Sequence, residues 1–171
     1  MTRGHVVLIG LMGTGKSTVG KKLATNLGRE FFDSDVEIER QQGATISEIF
    51  EQRGEASFRE TEEIVLAELL GRPAPMVLAT GGGVILSEAN RSRLGSPHHV
   101  VWLRAEVRTL VNRMTPKGAA KRPLLAGDVE ARLTEMIGAR SDLYQQVAKT
   151  IVDVDGLSAD RVCEIIKSEV E

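Results

Sequence analysis

The sequence predicts an α/β fold, a five-stranded parallel sheet with helices on both faces. Three observations carry that reading. Short apolar runs such as Val6 to Ile9 stop abruptly at glycine or polar residues, as strands buried on both faces do. Between them lie longer stretches whose apolar residues recur three and four positions apart. The two patterns alternate over all 171 residues without internal repeat, low-complexity segment or linker, so one domain spanning residues 1–171 is expected.

The elements follow in order. His5 to Ile9 is the first strand, ended by Gly10. Thr18 to Leu27 carries Val19, Leu23, Ala24 and Leu27 as a helical stripe, closed by Gly28. Glu30 to Asp33 is the second strand. Thr45-Ile46-Ser47-Glu48 has the spacing of a capping box and opens a helix through Phe50, which Gly54 interrupts before Glu55 to Leu70 resumes it. Met76 to Thr80 is the third strand and runs into Gly81-Gly82-Gly83. Ser87 caps a short helix to Leu94, Val100 to Leu103 is the fourth strand, and Ala105 to Met114 is helical. Residues Thr115 to Gly127 mix proline and glycine with basic side chains, the composition of a mobile loop. Val129 to Val147 is a long helix, Thr150 to Val154 the fifth strand, and Ser158 caps a last helix through Val170.

Charge narrows the partners. With 22 basic and 24 acidic residues the net charge is −2, so no long-range field favours nucleic acid or an anionic membrane, and neither is expected as a partner. Any bound anion must be gripped by local groups. A single cysteine, Cys163, excludes an intramolecular disulfide and a cysteine-based zinc site, and it reads as a small buried hydrophobe. His5, His98 and His99 begin apolar runs, lack metal-ligand spacing and read as strand-edge residues. No apolar run near the N-terminus approaches the ~20 residues of a membrane span, and no small-residue cleavage site follows the first one. The cytoplasm is the expected compartment.

Gly10-Leu11-Met12-Gly13-Thr14-Gly15-Lys16-Ser17 matches the phosphate-binding pattern G-x-x-x-x-G-K-[ST], with an apolar strand before it and an amphipathic helix after. Glycines let successive backbone N–H groups turn toward one anion, and the helix start adds its positive end. Lys16 would reach the outer phosphates and Ser17 would ligate Mg²⁺. No guanine-reading Asn/Thr-Lys-x-Asp segment follows, which argues against a GTPase switch. The third strand ends in Thr80 and glycines, not in the acid expected of a motor or transport ATPase. Acids stand instead at Asp33 and Asp35, after the second strand, where open α/β sheets bind ligands. Alternation in an extended segment would aim both the same way, one toward Mg²⁺ and one toward a substrate hydroxyl. The plainer alternative makes both solvated caps of a following helix.

Arg59, Arg122 and Arg140 could together form a second anion site with the triple glycine, because guanidinium groups bind carboxylate bidentately and glycine admits a ligand closely. Against this stands a surface role for each, Arg59 pairing with Glu62 or Glu63 along its helix and Arg140 with a neighbouring acid. Gly81 to Gly83 could likewise be a bare turn.

The chain resembles the shikimate kinases over essentially its whole length. The similarity rests on the phosphate loop, Asp33-Ser34-Asp35, Phe58-Arg59-Glu60-Thr61-Glu62-Glu63, Val77 to Ile85, Arg122-Pro123-Leu124-Leu125 and Ala139 to Tyr144. That resemblance implies a P-loop kinase fold with a mobile lid over about 115–127. It implies an ATP- and Mg²⁺-dependent enzyme that phosphorylates the 3-hydroxyl of shikimate, expected to act as a monomer. It further implies that Gly13, Thr14, Gly15, Lys16, Ser17 and Thr18 hold ATP, with Arg122 closing over the phosphates and Arg113 near adenine. Asp35 would take the accepting hydroxyl and Asp33 would serve the metal. Arg59 and Arg140 would clamp the carboxylate, and Gly81, Gly82 and Gly83 would line the substrate. The late loop Asp155 to Ser158 carries no basic residue to meet adenine. A gluconate kinase on the same architecture and a nucleotide-binding switch without a small substrate are the rival readings.

Overall fold

The computed structural model describes residues 4–114 and 127–171. Five strands, β1 (Val6–Ile9), β2 (Glu30–Asp33), β3 (Met76–Ala79), β4 (His99–Arg104) and β5 (Thr150–Asp153), form one parallel sheet in the order β2-β3-β1-β4-β5. The central strand pairs Val6 with Val77 on one side and with His99 on the other. The chain therefore leaves β1 at the point where strand order diverges, which opens a crevice at the carboxyl ends of the strands. Every residue of β1 and β3 is buried, as expected of strands covered on both faces.

The helices are α1 (Lys16–Leu27), α2 (Ser34–Gln42), α3 (Ile46–Leu70), α4 (Glu88–Arg93), α5 (Val107–Arg113), α6 (Val129–Val147) and α7 (Ala159–Val170), with a 3₁₀ turn at Val84–Leu86. Helix α1 packs against β3 and α7, α2 against α3, and α6 against α5, β4 and the 3₁₀ turn. The expected capping box is formed: Glu48 N donates to Thr45 Oγ1 at 3.2 Å and Thr45 N to Glu48 Oε2 at 2.7 Å. Gly54 breaks α3 with φ 78° and ψ 171°, the interruption its residue type foretold. Cys163 is buried with its Sγ 3.4 Å from the Val19 carbonyl, a small core residue. Among the described residues no helix is long and apolar enough to cross a membrane.

Helix α1 starts at Lys16, as the phosphate-loop pattern requires and three residues before the first apolar residue of its stripe, because its first turn belongs to the phosphate loop and not to the core. Helix α2 has no counterpart in the apolar pattern, since only Ser34 and Ile38 of its nine residues are buried. Its existence rests on caps, with the Asp33 side chain at one end and Gly43, at φ 63°, at the other. Arg122 and nearly all of the expected lid lie outside the described residues.

Candidate active site

Gly10, Gly13 and Gly15 of the phosphate loop all hold positive φ, at 139°, 83° and 92°. Helix α1 begins with neither a side-chain cap nor an acid in its first turn, so its N–H groups face the loop's concavity unopposed. Thr14 Oγ1 closes the loop by donating to the Leu11 carbonyl at 2.9 Å. Lys16 Nζ donates to the carbonyls of Gly10 and Leu11 at 2.7 and 2.8 Å, which holds its ammonium across the loop. A pocket of about 260 Å³ is lined by Gly13, Gly15 to Thr18, Asp33, Asp35 and Thr80 to Gly82. Loop, acids and triple glycine thus meet in one crevice.

The two acids arrive there differently from the extended-segment expectation. Asp33 ends β2 and caps α2, its Oδ1 accepting from Asp35 N at 3.0 Å, while its Oδ2 accepts from Ser17 Oγ at 2.6 Å. Asp35 is the second residue of the helix, in its first turn, so alternation along a strand does not aim it. Nor is it a solvated cap, for its Oδ1 is buried without a hydrogen-bond partner. Burial above all, then the nearby charges of Asp33 and Glu62, push its carboxyl up to about 7, against the pull of Lys16.

Across the crevice Arg59 of α3 donates to Glu62 at 2.8 Å and to Glu55 at 3.3 Å. The helix pairing of the plainer reading is therefore present, but Glu62 is 1% exposed and not a surface partner. Burial raises the Glu62 carboxyl even though Arg59 and Arg140 draw it down. Arg140, on α6, is buried, and its Nη1, the Arg59 Nε and the Glu62 Oε2 all lack partners. A Cβ on Gly81 would sit 2.8 Å from Asp35 Oδ1 and 2.9 Å from Glu62 Oε2, and one on Gly83 would land on the Arg59 guanidinium. The glycines are glycines because charged side chains lie against their Cα atoms.

Sequence reasoning passed over two residues here. Ser34 Oγ accepts from Gly81 N at 3.1 Å, and the Tyr144 hydroxyl donates to the Gly82 carbonyl. The only available signals were Ser34's place between two acids and Tyr144's spacing of one helical turn from Arg140. Arg113 donates to the carbonyls of Gly13 and Val154 at 3.3 and 3.5 Å, and it borders a second pocket of about 330 Å³ with Thr18, Leu157 and Val162. Asp155, in the loop without a basic residue, instead caps α5, accepting from Glu106 N at 3.1 Å and Thr109 Oγ1 at 2.5 Å.

A glycine-cradled anion loop leaving the middle strand of such a sheet defines a P-loop nucleotide-binding fold, and a buried acid beside it can orient an accepting hydroxyl, as kinases require. Residues 12–171 match the family model for shikimate kinase. A shikimate kinase of Halorhodospira halophila is 43% identical over 166 residues, covering 96% of this chain and 92% of that one. The solved shikimate kinase of Acinetobacter baumannii, in complex with shikimate, has a TM-score of 0.93 at 42% identity, covering 99% of this chain and 93% of that one. A gluconokinase of Sinorhizobium meliloti, with a TM-score of 0.60 at 19% identity over 99% of each chain, shares the fold alone. The chain belongs to the shikimate kinase family, and it is an ATP-using kinase.

Proposed function

We propose that this enzyme transfers the γ-phosphoryl group of ATP to the 3-hydroxyl of shikimate, giving shikimate 3-phosphate and ADP on the route to chorismate and the aromatic amino acids. One observation carries the reading. The buried side-chain polar atoms that lack a partner among the described residues belong to Asp35, Arg59, Glu62 and Arg140, the groups that crowd the glycine turn beside the phosphate pocket. Both cations and a near-neutral carboxyl suit a ligand bearing a carboxylate and a hydroxyl.

Gly13 to Thr18 hold the phosphates, with Lys16 neutralising charge on the transferring group and Arg113 beside the nucleoside. The Ser17 hydroxyl and the Asp33 carboxylate, 2.6 Å apart, are hard oxygen donors of the kind Mg²⁺ accepts alongside phosphate oxygens. When bound there, Mg²⁺ would supply charge neutralisation for the phosphates. Arg59 and Arg140 fork the substrate carboxylate, and Gly81, Gly82 and Gly83 give it room. Asp35 then accepts the proton of the attacking hydroxyl, a task for which a carboxyl near pH 7 is well matched. Arg122 closes the lid of residues 115–127 over the phosphates, excluding water as a competing acceptor. Every role falls on a single chain of one domain, which favours a monomer, and the substrates are those of the cytoplasm.

ADP release measured with shikimate, quinate and gluconate tests the reading. Turnover with shikimate far above the other two is the expected result. Preference for gluconate would hand the site to the rival kinase, and ATP binding without turnover of any alcohol would make the chain a switch.

A further inference from the structure

We propose that Ser34 and Tyr144 are positioning residues, whose two hydroxyls pin successive residues of the glycine turn and so set the distance between Asp35 and Arg140. The inference rests on the reading of those two as substrate-binding groups. Ser34 is completely buried, and its Oγ accepts from Gly81 N at 3.1 Å. Tyr144 is 1% exposed, and its hydroxyl donates to the carbonyl of the next residue, Gly82. Each hydroxyl is carried by an element that also carries a substrate group. Ser34 immediately precedes Asp35 on α2, and Tyr144 follows Arg140 by one turn on α6.

The turn they hold also abuts the phosphate loop. A Cβ on Gly82 would sit 3.4 Å from the Gly10 carbonyl and 3.6 Å from Leu11 Cα. Fixing the Gly81 N–H and the Gly82 carbonyl therefore fixes the acceptor side against the donor side, which in-line transfer requires. The Tyr144 ring is itself immobilised by stacking on Trp102 of β4, with centroids 5.3 Å apart. Burial raises the tyrosine hydroxyl to about 12, against the charge and hydrogen bond of Arg140, so it remains a donor at every working pH and touches the arginine it positions.

A purely structural role would give another pattern, in which loss of either hydroxyl lowers the melting temperature and leaves kinetics alone. The test uses Ser34→Ala, Ser34→Thr and Tyr144→Phe in the full chain, assayed with ATP and shikimate. Tyr144→Phe keeps the ring on Trp102, the sole tryptophan, whose emission should match the parent's. Positioning predicts that kcat/KM for shikimate falls about tenfold in Ser34→Ala and Tyr144→Phe, through both kcat and KM. The KM for ATP should stay within twofold, and Ser34→Thr should recover most of the loss. Kinetics within twofold of the parent in both variants would overturn the proposal, as would an equal loss for ATP or no rescue by threonine. If Tyr144→Phe fails to fold, the Ser34 pair decides alone. A parent enzyme inactive on shikimate, or an Arg140→Ala variant with unchanged shikimate KM, would defeat the reading of the site itself and this proposal with it.

Discussion

The two ends of the sheet bury polar side chains in opposite ways. At the amino end His5 Nδ1 accepts from Met76 N at 3.3 Å, which leaves Nε2 to donate to the Leu70 carbonyl at 3.1 Å. His98 Nδ1 accepts from His5 N at 3.3 Å, the two rings stack with centroids 4.8 Å apart, and His99 Nε2 meets Thr150 Oγ1 at 2.9 Å. At the carboxyl end Asp35, Glu62, Arg59 and Arg140 each keep a buried polar atom without a partner. Polar groups buried with partners specify the fold. Those buried without them cost stability, and that cost is recovered only by something that binds.

The contrast can be broken most decisively at the phosphate loop. Lys16→Ala should abolish turnover while the far-ultraviolet circular dichroism stays native, because the ammonium spans loop carbonyls and not the core. Appreciable activity in that variant would sink the phosphate assignment.

Asp35→Asn should lower kcat by roughly 10² or more with ATP affinity nearly unchanged. The parent's kcat should fall as pH drops through about 7, the value to which burial raises the Asp35 carboxyl. Stability should move the other way. A carboxyl raised in the folded state favours folding while protonated, and that contribution is lost as pH rises from its unfolded value near 4 through 7. The asparagine variant escapes this loss, so at pH 8 it should melt ~2 °C or more above the parent. A variant that lost activity and stability together would place Asp35 with the amino-end histidines, as structure.

These variants also show what the sequence can disclose. The phosphate loop is contiguous, and its chemistry follows from residue types at fixed offsets, so it could be read directly. The strands could be read because burial on both faces leaves an uninterrupted apolar run. Asp35 could be located but not understood. Its burial comes from Gly81 and Glu62, distant in sequence, and its orientation from a helix whose polar composition hides it. Ser34 and Tyr144 hold backbone atoms of glycines, and those contacts cannot be read from their positions beside Asp35 and Arg140. The histidines looked like ordinary strand edges, because nothing in a run of apolar residues shows which backbone N–H will need an acceptor.

The arginines give the next largest effect. Alanine at Arg59 or Arg140 should raise the KM for shikimate roughly thirty- to a hundredfold, the worth of a charged bidentate contact of ~2–3 kcal/mol, and spare that for ATP. Lysine should rescue poorly, having no planar fork. Unchanged shikimate KM in both alanine variants, with a few tenths of a kcal/mol lost in stability, would reduce Arg59 to a helix partner of Glu62. Gly83→Ala sharpens the same point more gently. Its methyl group would displace the Arg59 guanidinium, so shikimate KM should rise by about tenfold through misalignment alone.

The smallest effect belongs to the amino end, and it should appear in stability only. Burial, foremost, holds the His5, His98 and His99 imidazoles below their ordinary range; Arg29 and Arg72 oppose charge on His5 against the pull of the Leu70 carbonyl, His5 and Lys149 oppose it on His98, and Lys149 opposes it on His99. Glu169 favours the charged form only of His99. For His5 and His98 the geometry agrees, since a proton on Nδ1 would face a backbone N–H already pointing at it. A histidine depressed in the folded state contributes stability that is complete above its unfolded value near 6.5 and drains away as pH falls below it. In the Asp35→Asn background, where the opposing carboxyl no longer titrates, the melting temperature should therefore drop between pH 7.5 and 5.5. His98→Asn places an amide oxygen where Nδ1 accepts from His5 N and cannot titrate, so it should flatten that slope and leave kcat and KM at pH 8 unaltered. An identical slope in the variant would remove His98 from the acid response. A change in KM would show that the two ends of the sheet are coupled, and with that the distinction between polar groups that build the fold and polar groups that await a ligand would fail.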